Sequence, residues 1–290
     1  MHDPNWTNQT VWTGDCLDIM RGMNSECVDL IYLDPPFNSN ANYAAPVGSE
    51  AAGAEFKDTW GLDDLKVAWH ALIQQEHPDL YQYLKAVLDM HSKSMMAYLI
   101  YMAVRIMEMK RLLKPTGSIY LHCDPYASHY LKLLLDVIFG RKQFRNEVVW
   151  AYRGMYPKQK KWQSKHDYIL FYSKSDEYIF NVLRTDPTPE SLKTYESAQT
   201  VGYLANHKRK MVVVYDREKY EKAVKTEKIP KGMREVSVEE NKGRPPFTDW
   251  WADIKILGGP KNKERVGYPT QKPLALLKRI VQASTIGGGV

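Results

Sequence analysis

Short hydrophobic runs alternate along most of the chain with segments in which apolar residues recur at helical spacing. The short runs predict strands at residues 9–13, 28–33, 118–123, 147–152 and 168–172. Prolines and glycines punctuate many of the junctions between these strands and the helical segments. Because strands that alternate with helices favour a parallel sheet, we expect a parallel α/β sheet covered by helices on both faces.

The longest helical pattern runs from Leu80 to Leu113 and carries a stripe rich in methionine. Since methionine fills irregular gaps in protein interiors, this stripe predicts core packing rather than a cofactor site. Further helices are predicted at residues 126–139 and 274–285. Residues 38–61 are polar and rich in alanine and glycine, which predicts a long loop that covers or binds a ligand.

The periodic elements divide the chain into three regions. Residues 1–180 and 251–290 contain the predicted strands and helices, whereas residues 181–250 are lysine-rich and weakly periodic. The 290 residues are enough for one large domain with a smaller lobe. We therefore expect residues 181–250 to form a separate lobe, after which residues 251–290 return to the main domain.

Charge is distributed unevenly along the chain. Residues 1–150 carry a formal net charge of −5, whereas residues 151–290 carry +11. This asymmetry predicts that the second half binds a polyanion, with a solvated basic surface as the alternative. The three cysteines are widely spaced, so no metal site is predicted, and their odd number is typical of a reducing compartment. With no signal-like start and no long apolar run, the chain is expected to be a cytoplasmic globular protein.

Four residues with distinctive chemistry, Asp34-Pro35-Pro36-Phe37, follow the strand predicted at residues 28–33. Open α/β sheets bind ligands at this end of a strand. The Asp34 carboxylate and the Pro35 carbonyl can accept both N–H groups of a nucleobase amine, which frees its lone pair, while the prolines fix both acceptors in place. Phe37 can stack on a base pulled out of the duplex. A Pro-Pro turn with an incidental aspartate is the alternative for so short a motif.

This tetrad at residues 34–37 resembles motif IV of the adenine-N6/cytosine-N4 DNA methyltransferases. Residues 14–17, Gly-Asp-Cys-Leu, resemble the acidic turn that these enzymes place against the cofactor adenine. Residues 269–273, Pro-Thr-Gln-Lys-Pro, resemble their motif X, which packs against the methionine end of the cofactor. The order of the motifs is that of the permuted β group, and the resemblance covers nearly the whole chain except residues 181–250.

The resemblance implies a Rossmann-like methyltransferase sheet, a basic target-recognition insertion at residues 181–250, and S-adenosylmethionine as methyl donor. Aspartate rather than serine at position 34 favours adenine N6 over cytosine N4. The catalytic residues that it implies are Asp34, Pro35, Pro36 and Phe37. The cofactor-binding residues that it implies are Asp15, Cys16, Asp34, Thr270, Gln271, Lys272 and Pro273.

The end of the sequence departs from the pattern of this group. There, motif X leads into a strand that ends in Asp-Pro-Phe-x-Gly, a turn that wraps the methionine of the cofactor. This sequence ends at Val290, where that strand is expected to begin. The resemblance therefore implies a chain truncated before the cofactor-loop strand, which binds S-adenosylmethionine weakly by itself. A non-catalytic DNA-binding fragment of such an enzyme is the alternative function.

Two segments of the basic second half are candidates for DNA contacts. The first, residues 152–165, mixes aromatic and basic side chains. The second, residues 207–234, has ten Lys or Arg residues against four acidic residues. The predicted DNA-binding residues are Arg153, Lys158, Lys160, Lys161, Trp162, Lys165, Lys208, Arg209 and Lys210. Double-stranded DNA is the predicted partner, and a restriction endonuclease or a second subunit is a further candidate.

Two acidic residues elsewhere have more modest predicted roles. Asp124 follows a second predicted parallel strand, so we expect it to line the same crevice as Asp34 in a structural role. His166 and Asp167 are adjacent in sequence, which predicts a satisfied surface pair rather than a general base. In the resembled family, the segment around Asp167 helps to hold the flipped base.

Overall fold

The computed structural model describes residues 3–37, 41–44, 55–58, 61, 67–154, 160–186, 189, 213–215, 225, 235–237, 246–258, 262–268 and 270–286. The chain divides into two compact units. One consists of Met1–Asn181 with Asp249–Val290, and the other is Val182–Thr248. The role in target recognition assigned to residues 181–250 stays a prediction. No helix within the described ranges is long and apolar enough to cross a membrane.

The helices of the first unit follow one another in chain order as α1 (Cys16–Arg21), α2 (Val67–Glu76), α3 (Pro78–Met90), α4 (Lys93–Leu112), α5 (Ser128–Phe139) and α6 (Leu274–Ser284). The strands, in chain order, are β1 (Val28–Leu33), β2 (Ala41–Ala44), β3 (Glu55–Asp58), β4 (Leu113–Cys123), β5 (Phe144–Ala151), β6 (His166–Ser173), β7 (Val213–Tyr215), β8 (Glu235–Ser237) and β9 (Trp250–Trp251). Strands β7 and β8 belong to the second unit, where they pair in parallel.

The main sheet has the strand order β1-β4-β6-β5-β9. β4 is parallel to β1 and β9 is parallel to β5, but β6 is antiparallel to both of its neighbours. The expectation of a parallel sheet is therefore wrong at β6, and the sheet is mixed. Parallel neighbours need a crossover connection, whereas the described part of the connection between β5 and β6 contains no helix, so these strands pair as antiparallel neighbours.

Helices cover both faces of this sheet, as the sequence predicted. Side chains alternate along β4, so Ile119 and Leu121 join the core formed with α1 to α5. Tyr120 points to the opposite face, where it belongs to a second core with Leu276 and Ile280 of α6. The hydroxyl groups of Tyr120 and Ser284 lie 2.7 Å apart and join the end of α6 to the sheet.

The apolar pattern from Leu80 to Leu113 folds as two helices rather than one. Ser92 separates α3 from α4, and its hydroxyl accepts a hydrogen bond from the Met95 backbone N–H. An N-cap serine satisfies a donor that the first turn of a helix leaves unpaired, so it stabilises a new start within the pattern. The methionine stripe lies in the core as predicted, with buried side chains at Met95, Met96, Met102 and Met109.

Two other expectations about secondary structure were wrong. Residues 9–13 form no strand, because β-forming side chains need a partner strand to pack against, and Val11 is 91% exposed. Within residues 38–61, β2 and β3 pair as antiparallel strands with Ala41 opposite Asp58. Alanine and asparagine are weak strand formers, so the pattern gave no sign of this pairing. Most of the remaining residues in that range lie outside the described part of the chain.

Candidate active site

The carboxyl ends of β1 and β4 lie side by side, and the tetrad at residues 34–37 follows β1 directly. Leu33 pairs with Leu121 in parallel register, so both strands end at the same edge of the sheet. Pro35 is buried, whereas the Asp34 side chain keeps 26% of its surface exposed. A fixed backbone therefore presents a carboxylate at the edge where open α/β sheets bind ligands.

Lys272 holds the Asp34 carboxylate. Its ammonium group donates to Asp34 Oδ1 and Oδ2, both at 2.8 Å, and to the Thr270 carbonyl oxygen at 3.2 Å. It also lies over the Phe37 ring, 5.3 Å from the centroid, which is a cation–π distance. The structure thus brings together two predicted catalytic residues and two predicted cofactor-binding residues that lie more than 200 positions apart in the chain.

A buried polar network lies beside Phe37. The centroid of the fully buried His122 ring is 5.7 Å from that of Phe37. His122 Nδ1 is 2.7 Å from the Tyr32 hydroxyl, and Nε2 is 3.1 Å from Asp167 Oδ2. The Tyr152 hydroxyl donates to Asp167 Oδ1 at 3.1 Å. Strands β1, β4 and β6 therefore each contribute a polar group to this network, and His122 is the member that packs against Phe37.

The chemistry of these side chains indicates which of them donate hydrogen bonds in the network. A carboxylate accepts hydrogen bonds, so Asp167 receives the Nε2 proton of His122, and Nδ1 of the same ring faces the Tyr32 hydroxyl. Burial raises the pKa of Tyr32, and the negative charges of Asp34 and Asp167 raise it further, so the phenol keeps its proton. Burial and Asp167 also raise the pKa of Tyr152. The network is therefore a set of hydrogen-bonded side chains, two of them protonated phenols, around one carboxylate.

The sequence pattern alone did not reveal this network. The structure gives Asp167 the partners His122 and Tyr152 rather than its neighbour His166, whose ring packs edge-on against Tyr168. Asp124 accepts a hydrogen bond from the Ala127 backbone N–H just before α5, which agrees with a structural role. The available signal was a histidine in an otherwise apolar strand end, but only the strand pairing shows which residues face it.

Asp15 lies at a different ion pair. Arg105 Nη2 donates to Asp15 Oδ1 at 2.7 Å and to Oδ2 at 2.8 Å, and Oδ1 also accepts from the Leu17 backbone N–H at the start of α1. Gly14 precedes it with a φ of 137°, which glycine adopts without strain. The Asp15 side chain remains 37% exposed, and Cys16 is exposed beside it. Both predicted cofactor contacts are therefore open to a ligand.

The segment around Gln271 and Pro273 forms part of a pocket of about 190 Å³. The residues that line the pocket are Trp150, Ile256, Leu257, Arg265, Tyr268, Gln271 and Pro273. The amide group of Gln271 is held within the protein, since it accepts from Val266 N and donates to the Glu264 carbonyl. The Trp150 ring also packs edge-on against His122 at 5.6 Å, so the pocket adjoins the buried network.

Four of the predicted DNA-binding residues, namely Arg153, Lys160, Lys161 and Trp162, are exposed on the connection between β5 and β6. Trp162 is 96% exposed. Lys165 is half-buried, and its carbonyl accepts a hydrogen bond from the Tyr152 N–H. The remaining predicted contacts lie outside the described residues: Lys158, Lys208, Arg209 and Lys210. Within the described ranges, no group of three or more His, Cys, Asp or Glu side chains could hold a metal ion.

Comparison with known proteins finds a matching family and several relatives. A family model described as DNA methylase matches residues 28–290. The chain is 26% identical to the Mod subunit of the type III restriction-modification enzyme StyLTI from Salmonella typhimurium, over 96% of this chain and 46% of that protein. It is 23% identical to the DNA adenine methyltransferase YhdJ from Escherichia coli, over 97% of this chain and 69% of that protein.

Among solved structures, the M1.HpyAVI–SAM complex shares 13% identity with the chain at a TM-score of 0.38. That match covers 96% of this chain and 78% of the other. The chain spans about half the length of the StyLTI Mod subunit.

Proposed function

The chain belongs to the DNA methylase family, and from this premise we propose that it transfers a methyl group from S-adenosylmethionine to adenine N6 in double-stranded DNA. The observation that carries the proposal is the cluster at the carboxyl end of β1. There a partly exposed carboxylate, Asp34, lies beside the ring of Phe37, and buried polar groups support that ring. A carboxylate next to an aromatic face suits a flipped nucleobase that carries an amino group.

The proposed chemistry uses groups that the fold fixes in advance. The Asp34 carboxylate and the Pro35 carbonyl each accept one N–H of the adenine amine, so the nitrogen lone pair withdraws from the ring and becomes nucleophilic. Phe37 stacks on the base, and the His122 ring packs against Phe37. The nitrogen would then attack the methyl carbon in line, the methyl–sulfur bond would break with its electron pair left on sulfur as the thioether S-adenosylhomocysteine, and the amine proton would leave to water. Because the transfer is direct, no covalent enzyme intermediate is needed.

The residues available for S-adenosylmethionine fit part of that molecule, which supplies an activated methyl group on sulfur. Asp15 retains an accessible carboxylate beside the exposed Cys16, and it can accept hydrogen bonds from hydroxyl or amino groups. Residues 270–273 adjoin Asp34 through Lys272. We assign the contacts to the cofactor to these two segments.

Double-stranded DNA is the proposed substrate, docked on the connection between β5 and β6. Arg153, Lys160 and Lys161 offer charge for phosphates, and Trp162 offers a ring for an unstacked base. This connection begins next to Tyr152 and ends next to Asp167, so bound DNA would lie close to the buried network. The similarity to a Mod subunit makes a restriction subunit a candidate partner.

The test replaces the proposed acceptor. Asp34→Ala in the intact protein is expected to lower the rate of methyl transfer at least ~10²-fold, because one preorganised acceptor is lost, while DNA affinity changes little. The rate is measured as labelled methyl incorporated into DNA, and affinity by fluorescence anisotropy. Asp89→Ala, at an exposed carboxylate on α3, is the matched control. Near-normal turnover by Asp34→Ala would remove Asp34 from the mechanism.

A further inference from the structure

The ammonium group of Lys272 has no donor left over. Two of its contacts go to the oxygens of Asp34 and the third goes to the Thr270 carbonyl, so three acceptors match its three protons. Only 12% of the Lys272 side chain is exposed. Lys272 is therefore not an exposed lysine that could bind a phosphate. Its charge pairs instead with the Asp34 carboxylate, which is the proposed acceptor for the substrate amine.

The contacts of this ammonium group coincide with those proposed for the target base. A nitrogen donates hydrogen bonds to the Asp34 carboxylate, and the same group lies over the face of Phe37. The adenine amine would need the same carboxylate, and the adenine ring would need the same aromatic face. Lysine and adenine would therefore compete for both contacts.

We propose that Lys272 is a stand-in for the target amine, which occupies Asp34 and Phe37 until a flipped adenine displaces it. This inference rests on the proposed function and adds to it a residue that competes with the substrate. Without DNA, Lys272 satisfies a partly buried carboxylate that would otherwise lose hydration without gaining a partner. On base entry it gives up Asp34 and retains the Thr270 carbonyl as an acceptor.

A different role would leave the same resting geometry. Lys272 could stay on Asp34 throughout the reaction and serve only to orient the carboxylate. In that case its loss would slow methyl transfer without helping the base to enter. If the base displaces Lys272, loss of the lysine should instead raise the population of flipped base, because the competitor for Asp34 and Phe37 is gone.

The experiment measures base entry directly in Lys272→Met, which removes the donor and keeps the length of the side chain. The target sequence is first mapped by sequencing methylated adenines in DNA from cells that express the intact protein. A duplex that keeps adenine at the target position, so that its 6-amino group can reach Asp34, and carries 2-aminopurine as the neighbouring base then reports flipping by the fluorescence of that neighbour. Lys272→Arg retains a cation that can pair with Asp34, and Lys278→Met removes an exposed lysine from α6 as the matched control.

We expect Lys272→Met to raise the ratio of flipped to stacked base about tenfold and to tighten binding of this duplex, because a charge-assisted hydrogen bond no longer has to be broken. Lys272→Arg and Lys278→Met should stay near the wild-type ratio. Thermal melting checks that each variant is folded. If Lys272→Met does not fold, Lys272→Gln, which removes the charge but keeps a polar end, carries the same expectation.

If the ratio of flipped to stacked base is unchanged in folded Lys272→Met or Lys272→Gln, Lys272 is not a stand-in for the target amine. Slower methyl transfer in the same variant would then identify Lys272 as a residue that orients Asp34. A wild-type protein that methylates no base would instead overturn the proposed function, and this inference with it. The two failures are distinguishable because the first is seen only in the variants and the second already in the wild type.

Discussion

Two carboxylate–cation pairs, both at positions with predicted functions, are built differently. Asp15 pairs with Arg105, which is only 4% exposed, at the junction of α1 and α4. Asp34 pairs with Lys272 at the edge of the sheet, with 26% and 12% of the two side chains exposed. The first pair also caps a helix, whereas the second covers a ring that is available to a ligand.

The difference lies in how firmly each cation is held. The Arg105 guanidinium lies 3.4 Å from the centroid of the Tyr101 ring, and its second terminal nitrogen donates to the Tyr101 carbonyl. A planar guanidinium held on several sides has little freedom to leave. The Lys272 ammonium is a point charge on a flexible stem that can move between acceptors. An ion pair in a predicted motif can therefore be structural or exchangeable, and the identity of the cation decides which.

The largest expected effect comes from breaking the firmly held pair. Arg105→Met should lower the free energy of unfolding by about 2–4 kcal/mol, because the charge-assisted hydrogen bonds to Asp15 and the bond to the Tyr101 carbonyl are both lost. The measurement is urea denaturation followed by circular dichroism. Lys272→Met, at the more exchangeable pair, should cost less than half as much. Equal losses in the two variants would contradict the distinction between the pairs.

A smaller effect is expected where the exchangeable pair meets the buried network. Tyr32→Phe leaves Nδ1 of the fully buried His122 without its hydrogen-bond partner, so the free energy of unfolding should fall by about 1–3 kcal/mol. Tyr126→Phe removes a hydroxyl that contacts His91 at an exposed position and should cost far less. Chemical denaturation of both variants provides the test, and a Tyr32→Phe protein as stable as wild type would mean that His122 is satisfied in some other way.

The smallest expected effect of each substitution is on DNA affinity. Substitutions at the predicted DNA-binding lysines should leave both ion pairs intact. Neutralising Lys158, Lys160 and Lys161 together should weaken DNA binding and flatten its logarithmic salt dependence by up to about three units of slope. Titrations at several salt concentrations measure the slope, and urea denaturation should show unchanged stability. An unaltered slope would mean that these lysines form a solvated face and that DNA docks elsewhere.

Local periodicity was enough to predict much of the fold. The pattern at residues 274–285 and the run at residues 28–33 correspond to α6 and β1, because side-chain burial repeats with the period of each element. The family membership predicted from the motifs is confirmed by the match to residues 28–290. The motifs also led to Asp34 and Lys272, although the contact between them is visible only in the structure.

Features that depend on distant partners could not be predicted in the same way. The antiparallel direction of β6 follows from pairing with β4 and β5, and no local pattern records that choice. His122 and Asp167 are 45 positions apart and meet only because their strands are neighbours. The long apolar pattern divides at Ser92 because this serine caps the start of α4. Apolar periodicity does not report the position of such a cap.

The most direct measurement is the identity of the methylated nucleoside. DNA incubated with the intact protein and S-adenosylmethionine carrying a labelled methyl group is digested to nucleosides and analysed by mass spectrometry. Labelled N6-methyladenine with the wild type, reduced at least ~10²-fold with Asp34→Ala, is the predicted result. Label in N4-methylcytosine alone, or label in adenine that persists in Asp34→Ala, would contradict adenine methylation at Asp34.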